Sequence, residues 1–258
     1  MIINTISITM RDFGWKGLKL LGEYYLHSIH SNCFGPRVTC PICKWSGKQF
    51  YPFLLQPLWV RAAALCPGCG ALERHRALYH YYSENFSTNG MQGKKILHFS
   101  PESCLKTLFS QMSIQYVCSE YKNPGDGDMQ DMKYPDKHFD VIISHHVLEH
   151  VENDDRALSE IKRVLTDDGV CYLSVPVSWE RKTCEYGYAN PKQNYHYRSY
   201  GADIIKKFEG FKWRRFDFKV ILDDKTIKRH GINPEEPLFE LKKKQCPRSS
   251  PELSSRIS

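Results

Sequence analysis

An α/β fold with a mostly parallel sheet, helices on both faces and a small cysteine-rich module in front is what this 258-residue sequence predicts. Three observations carry that reading. From residue 94 onward, strand-like and helix-like runs alternate, as in folds where helices cross over a parallel sheet. Upstream, two CxxC pairs stand at metal-ligand spacing. The composition, 41% hydrophobic and 25% charged, suffices for an ordinary buried core. A chain of this length suits one full-sized domain with a small appendage.

The elements follow in order. Residues 1–35 contain "WKGLKLLGEYYLHSI", apolar at helical spacing with lysines between, and are expected to form a helical segment. Trp15 and the lysines would suit a membrane-surface helix. The interrupting glycines favour packing on the domain's own core. Residues 36–92 hold the cysteine pairs and then "ALERHRALYHYYSEN", which reads as a helix. Residues 93–244 form the main domain. Its strands are "KKILHF", "IQYVCSE", "FDVIISHH" and "GVCYLSVPV", with a helix over "ENDDRALSEIKRVLTDD" whose Ala157, Leu158, Ile161, Val164 and Leu165 share one face. Asp154 and Asp155 suit that helix's N-terminal dipole, and Gly169 follows its end. "KWRRFDFKVIL" and "EPLFELKKK" read as a closing antiparallel strand pair. Residues 245–258, rich in serine and proline, are expected to be disordered.

No apolar run approaches the ~20 residues that span a bilayer. The N-terminus lacks the basic, apolar and small-residue order of a secretory leader, so a cytoplasmic protein is expected. The formal charge of +7 invites nucleic acid, but part of it lies in the tail "KKKQCPRSSPELSSRIS". Charge alone therefore does not favour a nucleic-acid partner.

Cys40 and Cys43 in "CPIC", and Cys66 and Cys69 in "CPGCG", are separated by 22 residues. Two such turns facing each other complete a tetrahedron of thiolates, the arrangement of a structural Zn²⁺. A redox CxxC and two disulfides are the competing readings; the doubled motif argues against both. "KQFYPFLL" would fill the gap as a hairpin, giving a zinc-ribbon-like module. Cys33, Cys104, Cys118, Cys171, Cys184 and Cys246 lack partner spacing and read mostly as small core residues.

The first turn of the main domain, Phe99-Ser100-Pro101-Glu102, has no glycine where nucleotide-binding folds usually place several. Loss of those glycines argues against a pyrophosphate ligand, which needs several backbone N–H groups turned inward. Downstream stand Gly127-Asp128, Met132, Tyr134-Pro135-Asp136, Phe139-Asp140-Val141 and Val147-Leu148-Glu149-His150. In order and spacing this block resembles the class I S-adenosylmethionine-dependent methyltransferases, over about residues 94–222. The cysteine pairs, "LERHR" and "LHFSPE" are similar to a bacterial-type subgroup linked to surface-glycan synthesis, in which Pro-Glu stands in the first turn.

The resemblance implies a Rossmann-like, seven-stranded, mostly parallel sheet and S-adenosylmethionine as cofactor. It places the donor against Phe99, Ser100, Pro101 and Glu102, with Ser100 or Glu102 near its ammonium. Glu120 would accept from both ribose hydroxyls, and Asp128 from the adenine amino group, with Asp131 as competitor and Met129 on the ring edge. Ser144, His145 and His146 would leave the fourth strand at the cleft, while His150 reads as a structural histidine. His146 or His196 would be the base for a neutral hydroxyl, since imidazole titrates near working pH. A sugar or glycan-precursor hydroxyl, or another small molecule, is the expected acceptor. An RNA methyltransferase and a non-catalytic zinc-binding scaffold are the alternatives. Against the first stands the absence of an aromatic-basic stacking surface.

Overall fold

The computed structural model describes residues 37–55, 59–88, 90–120 and 127–244, together with 14, 15, 18, 19 and 22. The N-terminal helical segment for the most part, the tail from Gln245, Cys33 and Cys246 lie outside the described residues.

The cysteine-rich module is built from two hairpins. The first pairs β1 (Val38–Thr39) with β2 (Ser46–Gly47), and the second pairs β3 (Tyr51–Leu55) with β4 (Trp59–Leu65), both antiparallel. Helix α1 (Glu73–Thr88) follows. Then come β5 (Lys95–Phe99), α2 (Ser103–Ser110), β6 (Gln115–Ser119), β7 (Phe139–His145), α3 (Asp154–Val164) and β8 (Leu165–Ser174). A small sheet of β9 (Val177–Ser178), β10 (Cys184–Asn190) and β11 (His196–Gly201) interrupts the alternation. The chain closes with β12 (Phe211–Phe216), the short helices α4 (Phe218–Ile221) and α5 (Asp224–His230), and β13 (Leu238–Lys243).

The main sheet runs β12-β13-β8-β7-β5-β6. Its pairs β6–β5, β5–β7 and β7–β8 are parallel, while β13 joins β8 and β12 antiparallel. The expected closing strand pair is therefore present, but its first strand stops at Phe216 and the rest of "KWRRFDFKVIL" turns into α4. The sheet has six strands rather than the seven expected, because the described part of residues 120–138, which link β6 to β7, contains no strand.

Period-two alternation sorts the strands onto two cores. Ile96, Val141, Ile143, Val170 and Tyr172 meet α1 and α2 through Leu78, Tyr82, Leu105 and Phe109. Leu97, Phe99, Ile142, Cys171 and Leu173 meet α3 and the segment Ala202–Phe208 through Ala157, Leu158, Ile161 and Phe208. Both faces are covered, which is why these strands are apolar on both sides. Helix α3 starts where expected: Asn153 Oδ1 accepts from Arg156 N at 2.9 Å, satisfying one of the orphan N–H groups of the first turn. Of the six unpaired cysteines, Cys104 and Cys171 are core residues, Cys118 is half-buried and Cys184 is exposed.

The module is fixed to the main domain by Arg76 of α1, which is fully buried. Its guanidinium donates to the carbonyls of Ala64, Ala71, His230 and Gly231 at 2.7–2.9 Å and lies 3.8 Å from the Phe50 ring centroid. Gly231, at φ +54°, ends α5 against Phe50, where a Cβ would approach the ring to 2.6 Å. The crossing is therefore too close for any other residue.

Candidate active site and metal centre

The two CxxC turns have the same backbone. Lys44 N donates to Cys40 O at 3.0 Å and Gly70 N to Cys66 O at 2.8 Å. The residue after each second cysteine takes a left-handed conformation, φ +63° at Lys44 and +73° at Gly70. Glycine supplies that conformation without cost, while lysine adopts it under strain. The four Sγ atoms lie within 4.8 Å of one another, with Cys40–Cys69 at 3.7 Å and Cys43–Cys66 at 3.6 Å. Tetrahedral thiolates at the usual zinc–sulfur distance of about 2.3 Å stand about 3.8 Å apart. The cysteines are unbonded to one another, and the donor set and spacing fit a tetrathiolate Zn²⁺.

A second centre forms where β5 and β7 end. These strands are neighbours, paired Phe99↔Ser144. The chain leaves β5 toward β6 on one side and later returns to β7 on the other, so a crevice opens between the two exits. Both exits break sharply into the left-handed region, with φ +44° at Ser100 and +54° at His146. Ser100 thus supplies with a serine the backbone conformation that glycine usually gives, and its N–H is held by Ser119 O at 2.8 Å. Strained non-glycine residues and the carboxyl ends of parallel strands are both common at ligand sites.

The expected site residues distribute as follows. Ser100 is exposed and Pro101 half-buried beside it, whereas Phe99 is in the core. Glu102 turns inward, with its Oε2 3.4 Å from His98 Nε2 and its Oε1 4.0 Å from His75 Nε2. Burial pushes its carboxyl up, but His98 beside it outweighs this and draws it well below the usual carboxylate range. Glu120 follows β6 on the surface, 3.7 Å from Lys106. Asp128 Oδ1 accepts from Gln130 N at 2.8 Å and Gln130 Nε2 at 3.1 Å, closing a tight turn. Met129 is buried among Leu97, Phe99 and Met132. Ser144 Oγ is fully buried and, among the described residues, has no hydrogen-bond partner. His145 points into the core, where its Nε2 meets Tyr82 OH at 2.9 Å, and burial pushes its pKa down to about 3.

His146 is bracketed by carboxylates. Its Nε2 lies 2.7 Å from Glu236 Oε1 and its Nδ1 3.4 Å from Glu149 Oε1. Burial would lower its pKa, but Glu236 and Glu149 raise it to about 9. Ser174 Oγ donates to the same Glu236 oxygen at 2.5 Å. Both His146 ring nitrogens thus face carboxylates, so the imidazole positions rather than presents a free lone pair.

His196, at the start of β11, instead opens on a cavity of about 590 Å³. His150 and Glu149 of the 3₁₀ turn Leu148–His150 line the same cavity, with Phe53, Arg61 and Arg74 of the cysteine module and α1 on its wall. Lys192, Gln193 and Asn194 reach it from the loop between β10 and β11. Arg198 locks the arrangement. It is buried, donates to Val151 O at 2.5 Å and Glu152 O at 2.6 Å, and pairs with Glu185 at 2.9 Å. From sequence alone Glu149 stands outside the expected site and His150 is expected to be structural, whereas both line the cavity; the "VLEH" match is the signal that points to both. Of the charged run after the cysteines, Glu73 pairs with Arg61 at 3.3 Å and Arg76 is the clamp described above.

Residues 93–173, which hold β5 to β8 and both strand exits, match the family described as a methyltransferase domain. Those residues carry a methyltransferase domain. Solved structures similar to it include a SAM-dependent methyltransferase from Archaeoglobus fulgidus, at 14% identity and a TM-score of 0.45, covering 65% of this chain and 92% of that one. The YcgJ protein of Bacillus subtilis is similar at 12% identity and a TM-score of 0.39, covering 67% and 100%. A search of curated proteins finds no match. The methyltransferase family implies S-adenosylmethionine as donor. Among the described residues, no helix is long and apolar enough to cross a membrane.

Proposed function

We propose that this methyltransferase binds S-adenosylmethionine across the exits of β5 and β7 and methylates a hydroxyl of a small polar acceptor, of the sugar or glycan-precursor class, held in the adjoining cavity. The observation that carries the reading is the pair of left-handed breaks, Ser100 and His146, at the point where the sheet's connections reverse direction. Charge supports it. Glu149 and Glu236 are buried carboxylates here and Glu102 a half-buried one, against the cations His146 and Arg74. A surplus of negative charge suits a cationic ligand.

S-adenosylmethionine supplies, when bound, an activated methyl on a sulfonium whose departure leaves a neutral thioether. The chain's residues do the rest. Ser100 and Pro101 border the donor's amino-acid end, with the Glu102 carboxylate behind them. Glu120 would accept from the ribose hydroxyls and Asp128 from the adenine amino group. His146, held by Glu236, fixes the β7 exit. The cavity is within the range usual for small-molecule sites. Its lining of Arg61, Arg74, Lys192, Gln193 and Asn194 suits a hydroxyl-rich or anionic acceptor, which meets the Glu149–His150–His196 cluster.

Calorimetric titration with S-adenosylhomocysteine tests the donor site. Binding at micromolar strength, weakened at least tenfold in Glu120→Ala and in Asp128→Ala, is expected. A folded, zinc-loaded protein that binds none refutes the reading. A screen of nucleotide-linked and free sugars for methyl transfer then identifies the acceptor.

A further inference from the structure

We infer that Glu149, His150 and His196 form a second metal site, which takes one divalent first-row transition ion at the cavity wall, apart from the cysteine centre. The ligand atoms of these three residues lie within 4.8 Å of one another. Closing them onto one ion needs movements of about 1 Å, since ligands at 2.0–2.2 Å stand roughly 3 Å apart. Rotations about the histidine and glutamate side-chain bonds supply that.

Four further facts point to a cation. Glu149 is 1% exposed, yet neither carboxylate oxygen makes a hydrogen bond; its approach to His146 Nδ1, at 3.4 Å, lacks the geometry of one. Its one close cation, His146, is held from the other side by Glu236 at 2.7 Å, so the Glu149 oxygens keep lone pairs for a further ligand. The His150 and His196 rings meet edge to face at 4.6 Å, 87° apart, and among the described residues neither forms a side-chain hydrogen bond. Arg198 holds the carbonyls just beyond the turn that carries Glu149 and His150, and it sits two residues from His196. It therefore fixes the two halves of the cluster to each other, as the supports of a metal site do. Finally, all three residues border the open cavity, which leaves the remaining coordination positions to water or to a ligand.

Two imidazoles and one carboxylate select Mn²⁺, Fe²⁺, Co²⁺ or Zn²⁺ over Mg²⁺ or Ca²⁺, which prefer all-oxygen shells. Three protein ligands with open positions make the site of the catalytic rather than the structural kind. Its role toward the acceptor rests on the function proposed above: two neighbouring oxygens of a sugar-like diol would complete the shell. The ion then handles the hydroxyl in place of a free imidazole.

The test uses the full-length protein carrying one zinc per chain, at the cysteines, without donor or acceptor. Mn²⁺ is titrated in, with the free ion followed by electron paramagnetic resonance. One Mn²⁺ per chain at micromolar strength is expected, weakened at least tenfold in His150→Ala and in His196→Ala, each retaining one zinc and an unchanged circular dichroism spectrum. Should either variant misfold, electron spin-echo modulation on the Mn²⁺-loaded wild type decides, because coupling to imidazole nitrogen is required. A wild type that binds no Mn²⁺, a site that survives both substitutions, or a bound ion without nitrogen coupling overturns the inference. S-adenosylhomocysteine binding is measured separately, so failure of the donor site and failure of the metal site are distinguishable.

Discussion

At Ser100 the chain accepts strain that a glycine would have avoided. A non-glycine residue in the left-handed region costs roughly 1–2 kcal/mol, and φ here is +44°. Ser100→Gly should therefore be neutral or stabilising by up to about 1 kcal/mol, because glycine's greater unfolded-state freedom offsets part of the relief. Ser100→Val should destabilise by about 2 kcal/mol, since a branched Cβ fits that region worst. Urea denaturation of the two variants checks this, and a valine variant as stable as wild type would contradict the strain. His145 gives a second prediction at this scale. Its pKa is lowered by burial from 6.5 to about 3 in the fold, so the unfolded chain takes up a proton first as pH falls. The contribution is whole above pH 6.5 and is lost progressively toward pH 3, by up to about 1.4 kcal/mol per pH unit. His145→Gln cannot ionise, so its urea midpoint should fall less steeply between pH 7 and 5. Zinc release in acid is common to both proteins, and equal slopes would remove His145 as the cause.

Among the elements, the four parallel strands, the start of α3 and the closing antiparallel pair were legible from apolar runs that begin or end in clear turn or cap residues, whereas α3 stops at Val164 rather than before Gly169 and Leu165–Asp168 join β8. The tetrathiolate cluster was legible for a different reason: CxxC spacing dictates local geometry. The acceptor side was not. His196 reaches Glu149 and His150 only because β10 and β11 fold back as a separate small sheet, and the interaction spans 46 residues without a local pattern. Arg198 is the tie between β11 and the turn after β7. Its removal should thus separate positioning from donor binding. Arg198→Met leaves the carbonyls of Val151 and Glu152 without their donor, at about 1 kcal/mol or more each. Expected is a loss of about 2–4 kcal/mol in stability and at least tenfold weaker Mn²⁺ binding, with S-adenosylhomocysteine affinity within twofold of wild type. Equal loss of both ligands would make Arg198 a general scaffold residue.

At the scale of the molecule, the question is what the cysteine module contributes to a domain whose sheet is complete without it. Its hairpin β3–β4 carries Phe53 and Arg61, which form one wall of the cavity, with the guanidinium 5.3 Å from the ring centroid. Cys40 and Cys66 lie in the same core as α1, which itself covers β5, β7 and β8. Metal binding and pocket shape are therefore coupled through Arg76 and Phe50, whereas the exits of β5 and β7 belong to the sheet. A structural Zn²⁺ contributes of order 10 kcal/mol to a small module's folding, more than two short hairpins can supply alone. Removing it with a chelator, or by Cys69→Ser, should unfold the module first. Limited proteolysis should then cut within residues 37–70 while the sheet survives, and S-adenosylhomocysteine should still bind within a few-fold of wild type. Methyl transfer to the acceptor should fall at least a hundredfold, because the wall that closes the cavity is gone. Turnover that persists in the zinc-free protein would show that the module is an appendage, and that the acceptor is held by the sheet and the β10–β11 loop alone.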